Sequence, residues 1–274
     1  MRKAAATPEA NQRPRLRRGY FESRFGQLHV HNAIPAGGGF DEGTSLICLH
    51  ATPRSGASFL PLLALMGADR SVYAPDLPGY GGSDGPAARP TMADYAGAIG
   101  DFCTGMRFRQ IDVLGCHTGA LAAVELALLH PGMVRRLVLV SVPLGSASAA
   151  EAAPRLEAAE DGSHLAPAWR QLRAGYPAGT PLAVVARAFA DQLAGAGGAW
   201  GLEAALQYPV RERAALLTQP VLILRPRDEP QEVARLRDLM PRARVLELPE
   251  GLGTQLLDTG AEPITRALRD FLRG

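Results

Sequence analysis

The chain has 274 residues, 47% of them apolar, and a formal net charge of +2. That length buries a sizeable core, and the charge is too near neutrality to draw the whole protein toward nucleic acid. Three cysteines without paired or metal-type spacing read as reduced, buried thiols, and no run approaches the ~18 consecutive apolar residues of a membrane span.

In chain order, residues 1–18 carry Arg2, Lys3, Arg13, Arg15, Arg17 and Arg18, with no apolar stretch behind them to act as a signal-peptide core. They read as a solvated, disordered basic tail, and the cytoplasm is the expected location. Tyr20 to Phe25 and Gln27 to Ala33 alternate about Gly26 and predict a leading hairpin. His29 and His31 fall on one face of its second strand. Two imidazoles at that spacing can ligate a metal, but with no third ligand near in sequence they read as an exposed polar face.

Leu46 to Leu49 predicts the first core strand, Ala57 to Met66 a helix, Ser71 to Pro75 a strand and Met92 to Phe102 a helix. Ile111 to Gly115 is an apolar run ending in Gly115-Cys116-His117-Thr118-Gly119, and small and apolar residues then recur at helical spacing up to His130-Pro131. Two glycines around three residues mark a sharp strand-to-helix turn. Arg136 to Ser141 predicts another strand. From Gly145 to about Leu217 the chain is alanine-rich and helical in period, with Trp169, Tyr176, Phe189, Trp200 and Tyr208 as its large aromatics, each read as packing. Strands resume at Pro220 to Leu224 and Arg244 to Leu248, and Ile264 to Leu272 predicts a closing amphipathic helix. Alternating strands and helices imply right-handed crossovers and a doubly wound, mostly parallel sheet.

The motifs resemble those of the α/β-hydrolase superfamily. Leu46 to Leu49 followed by His50-Ala51-Thr52-Pro53 is similar to the family's strand and His-Gly-x-Pro loop. Asp76-Leu77-Pro78-Gly79-Tyr80-Gly81-Gly82-Ser83 is similar to its Asp-x-x-Gly-x-Gly-x-Ser loop, and Gly115 to Gly119 resembles the nucleophile elbow Gly-x-Ser-x-Gly. The resemblance implies an α/β-hydrolase fold with core segments 19–144 and 218–274 and a helical cap at 145–217. It also implies backbone donors of an oxyanion hole at Thr52 and Thr118. His50 takes the position of the loop histidine, usually structural. In the family an acid follows the strand after the cap, which points to Asp228, with Glu229 adjacent. The family histidine lies on the loop after the last strand. Here that loop, Pro249 to Asp258, has none, and Thr254 is the best match to its position.

The elbow tip is therefore His117, and the loop lacks the base. Without an elbow hydroxyl or a loop imidazole the acyl-serine mechanism has no footing. Ser55 and Ser83 read as turn residues and Cys116 as a structural thiol. His130 and His164 read as a helix-end and a cap residue. Three readings stay open. The first is acid/base chemistry through His117 on a small, carbonyl-containing molecule, as in a lyase, isomerase, cyclase, decarboxylase or water-directing hydrolase. The second is a catalytically inactive ligand-binding protein, and the third a hydrolase with imidazole as covalent nucleophile. Against all of them stands His117 as a neutral relic. The expected geometry is a His117–Asp228 dyad, direct or bridged by water or Thr254. No cofactor, metal, nucleic-acid or membrane partner is expected, and the oligomeric state is not legible.

Overall fold

The computed structural model describes residues 14–37, 43–143, 159–195, 198–226, 235 and 237–273. An antiparallel hairpin, β1 (Arg15–Ser23) and β2 (Gly26–Ile34), leads the chain. β3 (Ser45–Leu49) is followed by a 3-10 turn (Gly56–Phe59) and α1 (Leu60–Met66), then β4 (Val72–Pro75), α2 (Met92–Gly105), β5 (Ile111–Cys116), α3 (Thr118–Leu129) and β6 (Val134–Val140). Among the described residues four helices, α4 (Leu165–Ala174), α5 (Leu182–Leu193), α6 (Trp200–Gln207) and α7 (Val210–Ala214), lie between β6 and β7 (Val221–Pro226). β8 (Arg244–Leu248), α8 (Leu256–Thr259) and α9 (Ala261–Leu272) complete the chain.

The eight strands form one sheet in the order β1-β2-β4-β3-β5-β6-β7-β8. β1, β2 and β4 are antiparallel neighbours, and all pairs from β4 to β8 are parallel. This is the α/β-hydrolase architecture the motifs implied. Every residue of β5 is buried, because helices cover both faces of the sheet at its centre. Strand β1 takes in Arg15 to Arg18, which the sequence reading had placed in the basic tail. Their pairing with His31 to Ile34 of β2 satisfies backbone groups that a tail would leave to water.

The helical insertion is tied to the core by charge. Glu125 of α3, almost fully buried, accepts from Arg213 at 2.7 and 2.9 Å and from the Tyr208 hydroxyl at 2.8 Å. At the other end Tyr80 accepts from Gly201 N at 2.8 Å and donates to Gly198 O at 3.2 Å. Among the insertion's aromatics, Trp169 and Phe189 stack edge to face at 5.5 Å. No helix among the described residues is long and apolar enough to cross a membrane.

Candidate active site

The elbow forms where the sequence places it. His117 has φ 50° and ψ −116°, between β5 and α3. A side chain in that region clashes with its own backbone and costs about 1–3 kcal/mol, so the surroundings must impose it. They do so through backbone: His117 N donates to Val140 O at 2.9 Å and Ala120 N to His117 O at 2.9 Å. The flanking glycines leave no room for anything larger. A Cβ on Gly115 would lie 2.4 Å from Gly119 O, and one on Gly119 would lie 2.2 Å from Leu49 O.

The His117 ring is partly buried and makes no side-chain hydrogen bond among the described residues. Burial holds it below the ordinary histidine value, so it is neutral at pH 7. Asp228 and Glu229, its expected carboxylate partners, lie outside the described residues. Thr254, expected as a bridge, is exposed and faces the insertion. Its amide donates to Gly175 O at 2.9 Å and its hydroxyl to the same oxygen at 3.4 Å. The loop after β8 turns at Gly251 and Gly253, both at positive φ, and that turn aims Thr254 at α4's end.

Thr52 and Thr118, expected as oxyanion-hole donors, do meet. Thr52 N donates to the Thr118 hydroxyl at 2.8 Å, and the two hydroxyls are 3.2 Å apart. The Thr52 amide is thus engaged by Thr118's own side chain. The Thr118 amide belongs to the first turn of α3, whose donors have no helical acceptor. His50 is structural: fully buried, its Nε2 accepts from Leu77 N at 2.8 Å and its Nδ1 lies 3.1 Å from Ala51 O, which uses both ring nitrogens on backbone. Burial pushes the Cys116 thiol up to about 12, leaving an inert group. Ser55 caps the 3-10 turn and donates to the Asp191 carboxylate, and Ser83 donates to Asp76 O at 2.7 Å, so both hydroxyls are engaged in holding loops. His130 ends α3 and His164 accepts from Ala159 N at 3.0 Å.

Arg54 carries no local sequence signal of its role. Its guanidinium bonds Asp191 of α5 at 2.8 Å and Asp258 of α8 at 3.0 and 3.4 Å, and Tyr176 donates to Asp258 at 2.5 Å. The partners are 137 and 204 residues away, beyond any local pattern. One cation against two carboxylates leaves this wall without a charge to offer a substrate anion.

An α/β-hydrolase core is the class that the fold defines. Residues 46–257 match the model of the alpha/beta hydrolase family, and the chain belongs to that family. Solved structures agree in fold. A putative aryl esterase from Burkholderia cenocepacia is 18% identical with a TM-score of 0.79, over 94% of this chain and 98% of that one. The enol-lactonase from Burkholderia xenovorans LB400 is 16% identical with a TM-score of 0.77, over 93% and 100%. Epoxide hydrolase VrEH1 from Vigna radiata is 16% identical with a TM-score of 0.74, over 94% and 98%. An uncharacterised protein of Mycobacterium tuberculosis is 29% identical over 99 residues, 36% of this chain and 29% of the relative's length.

Proposed function

We propose that this chain is an enzyme acting on a small, neutral, carbonyl-containing molecule by acid/base chemistry through His117, without an acyl-serine. The observation that carries the reading is a neutral imidazole at the elbow tip, with neither ring nitrogen bonded among the described residues. A neutral imidazole accepts a proton at one nitrogen and gives one from the other, which suits enolisation, C–C or C–O bond rearrangement, or direction of a water. Asp228, with Glu229 beside it, is the carboxylate this reading assigns to fix the His117 tautomer. The developing oxygen charge would fall to the Thr118 amide, joined by the Thr52 amide once the Thr118 hydroxyl turns aside. An anionic substrate is disfavoured, because Arg54's charge is already taken up by two carboxylates, Asp191 and Asp258. The helical insertion is read as the roof of the pocket, and a small-molecule substrate is in keeping with the esterase, lactonase and epoxide hydrolase that share the fold.

One observation favours a second reading, a ligand-binding protein without turnover. The Thr118 hydroxyl on the Thr52 amide fills the place of a substrate oxygen. A panel of p-nitrophenyl esters, lactones, epoxides and ketones, with α-proton exchange in D2O followed by NMR, separates the two. The enzyme reading expects turnover or exchange that falls on the order of 10²–10⁴-fold in His117→Ala, with thermal-shift affinity held within a few-fold. Saturable binding without turnover, weakened by the same substitution, supports the binding protein.

A further inference from the structure

His29 and His31 are not the exposed face the sequence suggested. His31 is 8% exposed, and its Nδ1 is buried with no hydrogen-bond partner among the described residues. The two rings meet edge to face with centroids 4.6 Å apart. Asp76, at the end of β4 and 1% exposed, lies against them, with its Oδ2 2.8 Å from His29 Nδ1. One ligand atom from each of the three residues lies within 4.8 Å of the other two. The third ligand missing from local sequence is supplied by β2 pairing antiparallel with β4, which carries Asp76 across 45 residues of chain to His31.

We infer that His29, His31 and Asp76 form a binding site for one divalent transition-metal ion, zinc first, on the hairpin side of the sheet. Two imidazole nitrogens and a carboxylate oxygen are a donor set such ions favour over magnesium or calcium. Adjacent ligands of a tetrahedral ion on bonds of about 2.0–2.2 Å stand about 3.3–3.6 Å apart, so the 2.8 Å between His29 Nδ1 and Asp76 Oδ2 opens by roughly half an ångström or more when the ion enters. The metal takes the place of the proton between them, which leaves Nδ1 for Nε2 or for solvent, and the His31 ring closes on the ion by rotation. A fourth ligand, water, enters past His29, whose side chain keeps 12% of its exposure.

Asp76 is already oriented for the task. Gly56 N donates to its Oδ1 at 2.7 Å and Gly82 N to its Oδ2 at 2.8 Å, the outer bonds that fix a ligating carboxylate. Nearby charge is divided: Arg18, paired with His31 across β1 and β2, disfavours a cation, while Asp76 and Asp191 favour one. The bound ion staples the leading hairpin to the loop after β4.

The test uses tag-free full chain dialysed against EDTA and titrated with Zn(II) by calorimetry at pH 7.5. The inference expects one equivalent, visible d–d absorption when Co(II) replaces zinc, and affinity reduced at least about tenfold in His29→Gln and in His31→Gln. His130→Gln, a histidine at the far end of α3, should bind as the wild type does. Far-UV circular dichroism checks each variant. Should buried His31→Gln fail to fold, the more exposed His29→Gln carries the test. No equivalent bound by wild type, or one equivalent kept by the His29→Gln/His31→Gln double variant, overturns the site.

Discussion

The elbow and the seam between β2 and β4 both present imidazole, yet they are assembled from different materials. At the elbow the main chain does the work: two glycines, two backbone hydrogen bonds and a positive φ fix His117, whose ring bonds nothing among the described residues. At the seam the backbone is ordinary strand, and side chains make the bonds, His29 to Asp76 and the Asp76 carboxylate to two amides. A group positioned by backbone keeps its ring free for a substrate. A group positioned by side-chain bonds is committed to them, which suits a staple or a ligand. The same residue type thus reads as chemistry in one place and as architecture in the other.

The sharpest way to break the elbow side of this contrast is Gly119→Ala. The added Cβ would sit 2.2 Å from Leu49 O and 2.5 Å from His50 O, main-chain atoms of the central sheet that have nowhere to go. We expect a loss beyond ~3 kcal/mol, or no folded protein at all, read from urea unfolding. A loss under ~1 kcal/mol would mean the elbow is looser than its backbone contacts require.

His117→Gly probes the same region with the opposite sign. Glycine adopts φ 50°, ψ −116° freely, so relief of strain less the added flexibility of the unfolded chain should stabilise the protein by about 1 kcal/mol, while turnover disappears. The effect depends on pH. His117, His31 and His50 are all lowered by burial, so below the unfolded value of about 6.5 the unfolded chain binds more protons. Stability is therefore fullest above about pH 6.5 and falls as the pH drops toward each lowered value. Removing one of the three groups makes that fall shallower, so the advantage of His117→Gly should grow between pH 6.5 and 5 in thermal melts. An advantage that shrinks on acidification would show that the ring gains a partner when it is protonated.

What the sequence revealed and what it hid divide along the same line. Gly115, Gly119, His50, Asp76 and the apolar strand runs stand at fixed short spacings, and backbone geometry follows from such local patterns, so the fold and the elbow were legible. Partnerships between side chains far apart in the chain were not. Arg54 meets Asp191 and Asp258, and Asp76 meets His29 and His31, only because β2 joins β4 and the insertion folds back. The β8 loop shows the difference at a single residue. Thr254 was placed by counting from the family pattern, but two positive-φ glycines before it set where its side chain goes.

Thr254→Ala is the mildest change and bears most directly on how far a family template can be trusted here. If Thr254 bridged His117 to a carboxylate, its hydroxyl would sit in a proton path, and its loss would cost turnover of about tenfold or more. In the structure that hydroxyl is exposed and its bond to Gly175 O, at 3.4 Å, is long, while the stronger link to Gly175 runs through the Thr254 amide, which alanine keeps. We therefore expect stability within about 0.5 kcal/mol of wild type, with turnover on whichever panel substrate is accepted, and its pH profile, unchanged. A tenfold fall in kcat at constant stability would restore the bridge. The His117 ring would then act through the β8 loop, and the contrast between a free imidazole at the elbow and His29 bonded to Asp76 at the seam would narrow to a difference in who holds the ring.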